Sequence, residues 1–376
     1  MKLKTRLRIF RNAKFTRLPK VTRLWIDPPQ AEISAQQPHC NLSDEFLLRV
    51  SNAYRLAPKD TAQPDIWNDL RSKSNEMRLA LESADIAEMR RLFSTLLTGT
   101  TATGYAHTVH SAQSDWQWGR EYFSTRCRDA ILALAEAVGV IGVASTEQTS
   151  WDKLIGRQNG LLEPTIEAIE HRLGHSLAPV DFGSAPIARI DNRWINPDFV
   201  RQAYVPYRIE QIGIGKDDPI IEIGGGLGHV ARYVIVRGYT DYTIVDLPFV
   251  LATQAAFLAS ALGEAAVSLF GEERRAASIS LHPANISFPD RRFALAINMD
   301  SLPEMAEKYV LSYLSQLKRN AMLFLSVNQE AGKRGQHIVS NLADKTEGFC
   351  RLSRHPYWME QGYVEELYKL QNEAID

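Results

Sequence analysis

Short apolar runs and longer amphipathic stretches alternate in the second half of the chain. Apolar runs bounded by turn residues predict buried strands, and apolar residues recurring every three or four positions predict helices. Strands are predicted at 219–223, 242–245, 278–281, 293–297 and 322–327, and helices at 229–237, 248–262 and 303–317. Because strands alternate with helices, residues 201–376 are predicted to form an α/β domain whose mostly parallel sheet is covered by helices on both faces.

The first half of the chain has a different pattern, in which helices predominate. Ser43 can cap a helix that begins at Asp44, because its hydroxyl can accept a hydrogen bond from a free backbone N–H of the first turn. Further helices are predicted over 83–97, 120–138 and 163–173. Residues 176–196 have no regular pattern and are predicted to be irregular. We therefore expect a mainly helical region over 31–200 in front of the α/β domain.

Basic residues are concentrated at the N-terminus. The first 25 residues hold nine Lys or Arg and no acidic residue, whereas the whole chain has 43 basic and 44 acidic residues. A chain with this overall balance lacks the positive field of a dedicated nucleic-acid binder, so no nucleic-acid partner is expected. Residues 1–30 are predicted to form a basic arm. Three interpretations of the arm stay open: a solvated tail, a peripheral contact with the inner membrane surface, or an organellar presequence.

The cysteines and the longest apolar stretch limit the location of the protein and its metal content. Cys40, Cys127 and Cys350 are far apart, which argues against a disulfide framework and a paired-cysteine zinc site, and no metal site is predicted. The longest apolar stretch, 130–144, is interrupted by Glu136 and falls short of the roughly 20 residues that a membrane-spanning helix needs. A cytoplasmic protein is therefore expected.

A glycine-rich turn follows the first strand of the α/β domain. The sequence EIGGGLG runs from Glu222 to Gly228, and Asp246 stands at the end of the next strand. Glycines let a backbone turn tightly and approach a ligand, and the helix after them presents free N–H groups. This arrangement predicts a nucleotide-like ligand with Asp246 on its ribose. The residues alone leave the cofactor open, because the segment from Gly226 to Ala231 also fits the G-x-G-x-x-A pattern of NAD-binding proteins.

Glu222 favours a different cofactor. A carboxylate two residues before the first glycine suits a ligand with an ammonium group, such as the methionine part of S-adenosylmethionine, and here the sequence resembles the class I methyltransferases. The segment VDLP at 245–248 resembles the second-strand motif of plant-type small-molecule O-methyltransferases. Further segments are similar to bacterial sugar O-methyltransferases: NMDSLPEM at 298–305, SVNQE at 326–330, PYW at 356–358 and GYVE at 362–365.

The resemblance implies a Rossmann-like class I methyltransferase domain with a mostly parallel seven-stranded sheet, preceded by a helical region that forms part of the acceptor pocket and a homodimer contact. It implies that the glycines wrap the methionine end of S-adenosylmethionine, while Glu222 lies beneath it and faces the amino group or the loop, and Asp246 accepts both ribose hydroxyls. Leu247 and Phe249 are candidates for the adenine wall, and Asn285 either contacts the adenine amine or is a surface-turn residue. The implied cofactor-binding residues are Glu222, Gly224, Gly225, Gly226, Gly228, Asp246, Leu247, Phe249, Asn285 and Asn298.

The activity that the resemblance implies is transfer of a methyl group to a hydroxyl of a sugar or sugar-containing small molecule, in glycan or natural-product biosynthesis, with S-adenosylhomocysteine as the second product. Two alternatives stay open: an NAD-dependent oxidoreductase, and a scaffold that binds a nucleotide and a partner without turnover.

A sugar hydroxyl is a weak nucleophile at neutral pH and calls for a general base or a metal, so a need for Mg²⁺ stays open. The predicted catalytic residues are Asp300, Glu304 and His337. Asp300 and Glu304 follow the fourth predicted strand, and their alternative role is to cap the helix predicted to begin at Pro303. Three further groups are kept as alternative bases: His229, His355 and Glu330.

Overall fold

The computed structural model describes residues 32–58, 74–98, 117–143, 162–273, 279–330, 337–360 and 362–371. The predicted basic arm, residues 1–30, lies outside the described residues, so its three interpretations stay predictions.

The described part of the N-terminal region is mainly helical, as predicted. Its helices are α1 (Asp44–Leu56), α2 (Asn75–Ser83), α3 (Ile86–Ser94), α4 (Gln117–Ala137), α5 (Glu163–Leu173), α6 (Pro197–Gln202) and α7 (Tyr204–Ile212). The cap prediction is confirmed, because the Ser43 hydroxyl accepts from the Phe46 N–H at 3.0 Å. The helix predicted over 83–97 is found as α3, which begins three residues later because Ala84 takes a left-handed conformation that ends α2 and Asp85 caps α3.

The segment that was predicted to be irregular, 176–196, contains two strands. Strands β1 (Glu32–Ala35), β2 (Pro186–Ile190) and β3 (Arg193–Ile195) form a small antiparallel sheet with β2 in the middle. The two-residue turn between β2 and β3 starts with Asp191 at φ +51°, a conformation that Asp tolerates better than most side chains. The first strand comes from about 150 residues earlier in the chain, so local pattern gave little sign of the pairing.

Within the part of the chain that the structure describes, the central sheet has eight strands, one more than predicted. They are β4 (Ile220–Ile223), β5 (Tyr242–Asp246), β6 (Val267–Ser268), β7 (Ile279–Pro283), β8 (Phe293–Met299), β9 (Ala321–Gln329), β10 (Phe349–Pro356) and β11 (Tyr363–Leu370). Their order is β10-β11-β9-β8-β4-β5-β7-β6; β11 pairs antiparallel with both β10 and β9, and the other pairs are parallel. The parallel strands β4, β5, β7, β8 and β9 therefore end at one common edge.

Helices cover both faces of this sheet, so the predicted α/β fold is confirmed. Helices α8 (His229–Val236) and α9 (Pro248–Leu262) pack on one face, while α10 (Glu307–Asn320) and α11 (Val339–Ala343) pack on the other. The helix predicted to begin at Pro303 begins at Glu307, because Leu302–Glu304 forms a separate 3₁₀ turn and Met305 is extended.

The helical region and the α/β domain share one apolar core. The Phe257 ring of α9 lies 5.7 Å from the ring of Phe182 and 6.1 Å from that of Phe199, which both precede the α/β domain in the chain. An ion pair between Arg49 of α1 and Glu272, at 2.7 Å, joins the two parts at the periphery. The domain boundary at residue 200 stays a prediction.

Candidate active site

The glycine turn, residues 224–228, links β4 to α8 at the carboxyl edge of the sheet. Gly224, Gly226 and Gly228 have φ angles of +69°, +58° and +96°, which L side chains rarely adopt. A Cβ on Gly224 would overlap the Ser301 side chain, and one on Gly225 would lie 2.9 Å from Ile244 Cγ2. Both backbone geometry and space therefore require glycine in this turn.

Glu222 lies beneath the turn and is fully buried, with an exposed fraction of 1%. Its Oε2 accepts a hydrogen bond from the Tyr242 hydroxyl at 3.0 Å. Burial raises the pKa of Glu222 to about 8; the Tyr242 hydrogen bond lowers it and the nearby Asp246 carboxylate raises it. The carboxyl group is therefore mostly protonated at neutral pH until a cationic group approaches.

Asp246 ends β5, beside the glycine turn. Its Oδ1 accepts from the Leu247 N–H at 2.8 Å, and its Oδ2 accepts from Gln254 Nε2 at 2.8 Å. Gln254 Nε2 also donates to the Gly226 carbonyl at 2.9 Å. Gln254 was missed by the sequence analysis, although a polar residue in the middle of the apolar helix α9 is a detectable signal.

The residues predicted to contact adenine lie on two adjacent loops. Leu247 is half-buried at the start of α9, and Phe249 is buried in its first turn. Asn285 is exposed and donates to the Pro58 carbonyl. The Ala284 N–H donates to the Asp246 carbonyl at 2.8 Å, so the Asn285 loop lies beside the end of β5. The adenine role of Asn285 stays a prediction.

Asn298, near the end of β8, supports the glycine turn from below. It is fully buried, and its Nδ2 donates to the Ile223 carbonyl at 2.9 Å and to the Ser301 hydroxyl. The Ser301 hydroxyl in turn donates to the same Ile223 carbonyl at 3.1 Å. Both side chains hold the peptide that enters the turn, so the hydrogen bonds of Asn298 go to a backbone carbonyl and to the Ser301 hydroxyl. The cofactor role of Asn298 stays a prediction.

Asp300 follows β8 and has φ +57°, the left-handed region. Its Oδ2 accepts a hydrogen bond from the Tyr363 hydroxyl, while no hydrogen bond of normal geometry reaches its buried Oδ1 among the described residues. Burial raises the pKa of the Asp300 carboxyl, against the lowering effects of the Tyr363 hydrogen bond, the Arg201 charge and the nearby Gln329 side chain. The capping alternative is wrong for Asp300, because α10 begins at Glu307 with Ala306 as its N-cap.

A partly buried cluster of opposite charges lies near Asp300. We call Arg126, Arg201 and Glu360 the arginine–glutamate cluster: the Glu360 Oε2 atom lies 2.8 Å from Arg201 Nε and 3.3 Å from Arg126 Nη2. Arg126 belongs to α4, Arg201 to α6, and Glu360 to the segment between β10 and β11. The cluster and Tyr363 were missed by the sequence analysis, because their partners are distant in the chain.

The two other predicted catalytic residues lie close to each other. Glu304 is half-buried in the 3₁₀ turn. The His337 N–H donates to the Pro303 carbonyl at 3.0 Å, and His337 Nδ1 lies 3.9 Å from Glu307 Oε2. The 3₁₀ turn therefore brings Glu304 and the backbone of His337 to the loop that carries Asp300.

The alternative bases have other partners. His229 is buried between the rings of Phe199 and Phe257, and burial lowers its pKa to about 3, so it is a neutral core residue. Glu330 forms a 2.7 Å ion pair with Arg354, and this pairing lowers the pKa of its carboxyl group. The third alternative, His355, lies 3.4 Å from Glu365 Oε1.

Within the described residues, no group of three or more His, Cys, Asp or Glu side chains comes together in a way that could hold a metal ion. Across the same ranges, no helix has the length and apolar character needed to cross a membrane.

No protein-family model matches the sequence, and no curated protein matches it. The chain is similar to the glycopeptide N-methyltransferase MtfA complexed with S-adenosylhomocysteine, with 13% identity, a TM-score of 0.36, and coverage of 45% of this chain and 90% of that one. It is similar to magnesium protoporphyrin IX methyltransferase (ChlM) from Synechocystis PCC 6803 with bound S-adenosylhomocysteine: 9% identity, TM-score 0.35, and coverage of 46% and 83%. The [4+2]-cyclase SpnF matches with 15% identity, a TM-score of 0.35, and coverage of 46% and 81%.

Proposed function

We propose that the protein is an S-adenosylmethionine-dependent O-methyltransferase that acts on a hydroxyl of a sugar or a sugar-containing small molecule. The observation that carries the proposal is the pair of buried carboxyl groups, Glu222 and Asp246, on the adjacent parallel strands β4 and β5. They flank one glycine turn at the carboxyl edge of the sheet, where α/β proteins bind ligands.

The two carboxyl groups suit opposite ends of this cofactor. Glu222 is protonated at neutral pH by its burial, and an ammonium group beside it would favour the charged form and offset the desolvation of both groups. Each Asp246 oxygen accepts one hydrogen bond from the protein, and a carboxylate oxygen can accept a second one, so the pair suits the two hydroxyls of a ribose. When bound there, S-adenosylmethionine supplies a methyl group that its sulfonium has already activated.

Asp300 is the proposed general base on the acceptor side. Tyr363 holds Oδ2, so that Oδ1 is the oxygen left to accept a proton from the acceptor hydroxyl. Burial raises the pKa of Asp300 and makes it a better proton acceptor than an exposed carboxylate. Asp300 would take the proton of the acceptor hydroxyl as the acceptor oxygen bonds to the methyl carbon and the bond between that carbon and the cofactor sulfur breaks, which would give the methyl ether and S-adenosylhomocysteine.

The proposed function is tested by cofactor binding and product analysis. We expect S-adenosylhomocysteine, and not NAD, to raise the melting temperature. Isotope-labelled methyl transfer is then measured with sugars and sugar-containing glycosides, and with amines as controls, and mass spectrometry identifies the methylated atom. Stabilisation by NAD alone would support the oxidoreductase alternative and overturn the proposal, and labelled amines without labelled ethers would overturn the O-methyl assignment.

The variant Asp300→Asn tests the base. Asn tolerates the left-handed backbone as well as Asp does, but it cannot accept a proton, so we expect turnover to fall by about 100-fold or more. The affinity for S-adenosylhomocysteine should change less than about twofold. Asp344→Asn is the matched control, because that carboxylate forms an ion pair with Arg351 at 3.2 Å on another part of the surface. Full activity of Asp300→Asn would move the search to Glu304 and His337, through Glu304→Gln and His337→Gln.

A further inference from the structure

Gln254 is an uncharged polar side chain at an unusual place. It lies in α9, whose sequence PFVLATQAAFLASAL is otherwise almost entirely apolar, and its exposed fraction is 0%. A buried polar group needs hydrogen-bond partners to offset its loss of hydration. Gln254 finds these partners on two other segments, the end of β5 and the glycine turn.

The hydrogen bonds fix the orientation of the Gln254 amide. Its nitrogen lies 2.9 Å from the Gly226 carbonyl oxygen and 2.8 Å from Asp246 Oδ2, and both of these atoms only accept hydrogen bonds. The opposite orientation would bring the amide oxygen against a carbonyl and a carboxylate. Both amide hydrogens are therefore used, one on each segment.

This orientation has a cost. Among the described residues, the buried Gln254 Oε1 has no hydrogen-bond partner, and a buried acceptor without a partner loses its hydration without replacement. An apolar side chain of similar size would avoid this loss and fit the rest of α9. The benefit of glutamine is therefore expected where its two donors act, on Asp246 and Gly226.

We infer that Gln254 is a positioning residue that holds the ribose-binding carboxylate at a fixed distance from the glycine turn; this inference rests on the proposed cofactor. With Leu247 N–H on Oδ1 and Gln254 on Oδ2, the Asp246 carboxylate is held in one orientation. The methionine and ribose parts of the cofactor then meet contacts that are already correctly spaced, which reduces the cost of ordering on binding.

The experiment is a double-mutant cycle with calorimetric binding of S-adenosylhomocysteine. Gln254→Met keeps the side-chain length and removes both donors, and we expect it to raise the Kd by about tenfold or more. In the Asp246→Ala background, the same change should raise the Kd by less than about threefold, because the carboxylate it orients is absent. A purely structural role would give the same fold-change in both backgrounds and would overturn the inference.

Two further measurements separate positioning from folding. Gln316→Met is the matched control, since Gln316 also holds a backbone group, accepting from the Phe288 N–H at 2.8 Å on the other face of the sheet. If Gln254→Met unfolds, Gln254→Glu replaces it. The new carboxyl group repels Asp246 when it is charged and donates a hydrogen bond to Asp246 when it is protonated. As the pH is lowered from 8 to 5, the ratio of the variant's Kd to the wild-type Kd should therefore fall. Absence of that trend overturns the inference. Failure of the wild-type protein to bind S-adenosylhomocysteine overturns the proposed function instead.

Discussion

At the scale of single residues, the protonation of Glu222 is a consequence of burial. Its pKa of about 8 in the folded protein compares with an ordinary glutamate value near 4.3 in the unfolded chain, so the folded state binds the proton more tightly. By linkage, the stabilising effect of this proton is complete at low pH and is lost as the pH rises through about 8. In the ligand-free protein, the ionised and buried Glu222 carboxylate therefore lowers the free energy of unfolding in mildly alkaline solution.

The variant Glu222→Gln tests this linkage. Glutamine can still accept from the Tyr242 hydroxyl but cannot ionise, so the ligand-free variant should be about as stable as wild type at pH 6. At pH 9 it should be more stable by about 1 kcal/mol or more, or a few degrees in melting temperature. Thermal melts at the two pH values measure the difference, and parallel pH dependences of the two proteins would show that Glu222 is charged in the native state throughout.

Single residues were predictable where a local pattern identified them. Glu222 and Asp246 flank a recognisable glycine segment, so their strand-end positions followed from the sequence, and the structure brings them together. Tyr363 could not be assigned to Asp300 in this way, because 63 positions separate the two residues and the contact depends on the register of β11 against β9. Gln254 had a local signal, its polarity within an apolar helix, but that signal named no partner.

At the scale of elements, the glycine turn and the loop after β8 fit tightly against each other. A Cβ on Gly224 would overlap Ser301, and Gly224 also has a positive φ of +69°. Gly238 has a φ of +91° but no atom of the described residues within 4 Å of an added Cβ. Comparing the same substitution at the two positions therefore separates the effect of backbone strain from that of steric overlap.

We expect Gly224→Ala to lower the free energy of unfolding by clearly more than Gly238→Ala. In the control Gly238→Ala, only the left-handed backbone conformation lowers the free energy of unfolding, by about 1 to 2 kcal/mol. The Gly224 variant must also displace the Ser301 side chain and break its hydrogen bond to the Ile223 carbonyl. Urea denaturation of both variants measures the difference. Equal losses would mean that the loop after β8 moves away at little cost.

Helices and strands were predicted best where segments that follow each other in the chain also lie next to each other in the fold. The order from β4 to α9 was predicted to within a residue or two, because each element has its own apolar period. The start of α10 was placed four residues too early, since the 3₁₀ turn at Leu302–Glu304 contains the Pro that looks like a helix start. The pairing of β1 with β2 had no local signal.

At the scale of the whole molecule, charged side chains link the helical region to the sheet. Arg126 of α4 and Arg201 of α6 both reach Glu360, and Arg208 of α7 forms a 2.6 Å ion pair with Glu365 of β11. Glu360 and Glu365 are buried, with exposed fractions of 4% and 0%. Because Arg126 and Glu360 are 234 positions apart, this link depends on the complete fold and was not predictable from local patterns.

The variant Glu360→Gln removes the buried carboxylate that Arg126 and Arg201 share in the arginine–glutamate cluster. Arg201 keeps an ion pair with Asp198 at 3.5 Å, which offsets part of the lost charge. We therefore expect the free energy of unfolding to fall by about 2 kcal/mol, less than for a buried pair that loses all compensation. Glu330→Gln is the control: its partner Arg354 is more exposed, and the loss should be about 1 kcal/mol or less. Both variants should keep the wild-type affinity for S-adenosylhomocysteine, because Glu222 and Asp246 lie on other strands. Equal stability losses, or a weaker affinity in Glu360→Gln, would contradict this assignment of the cluster to the contact between the helical region and the sheet.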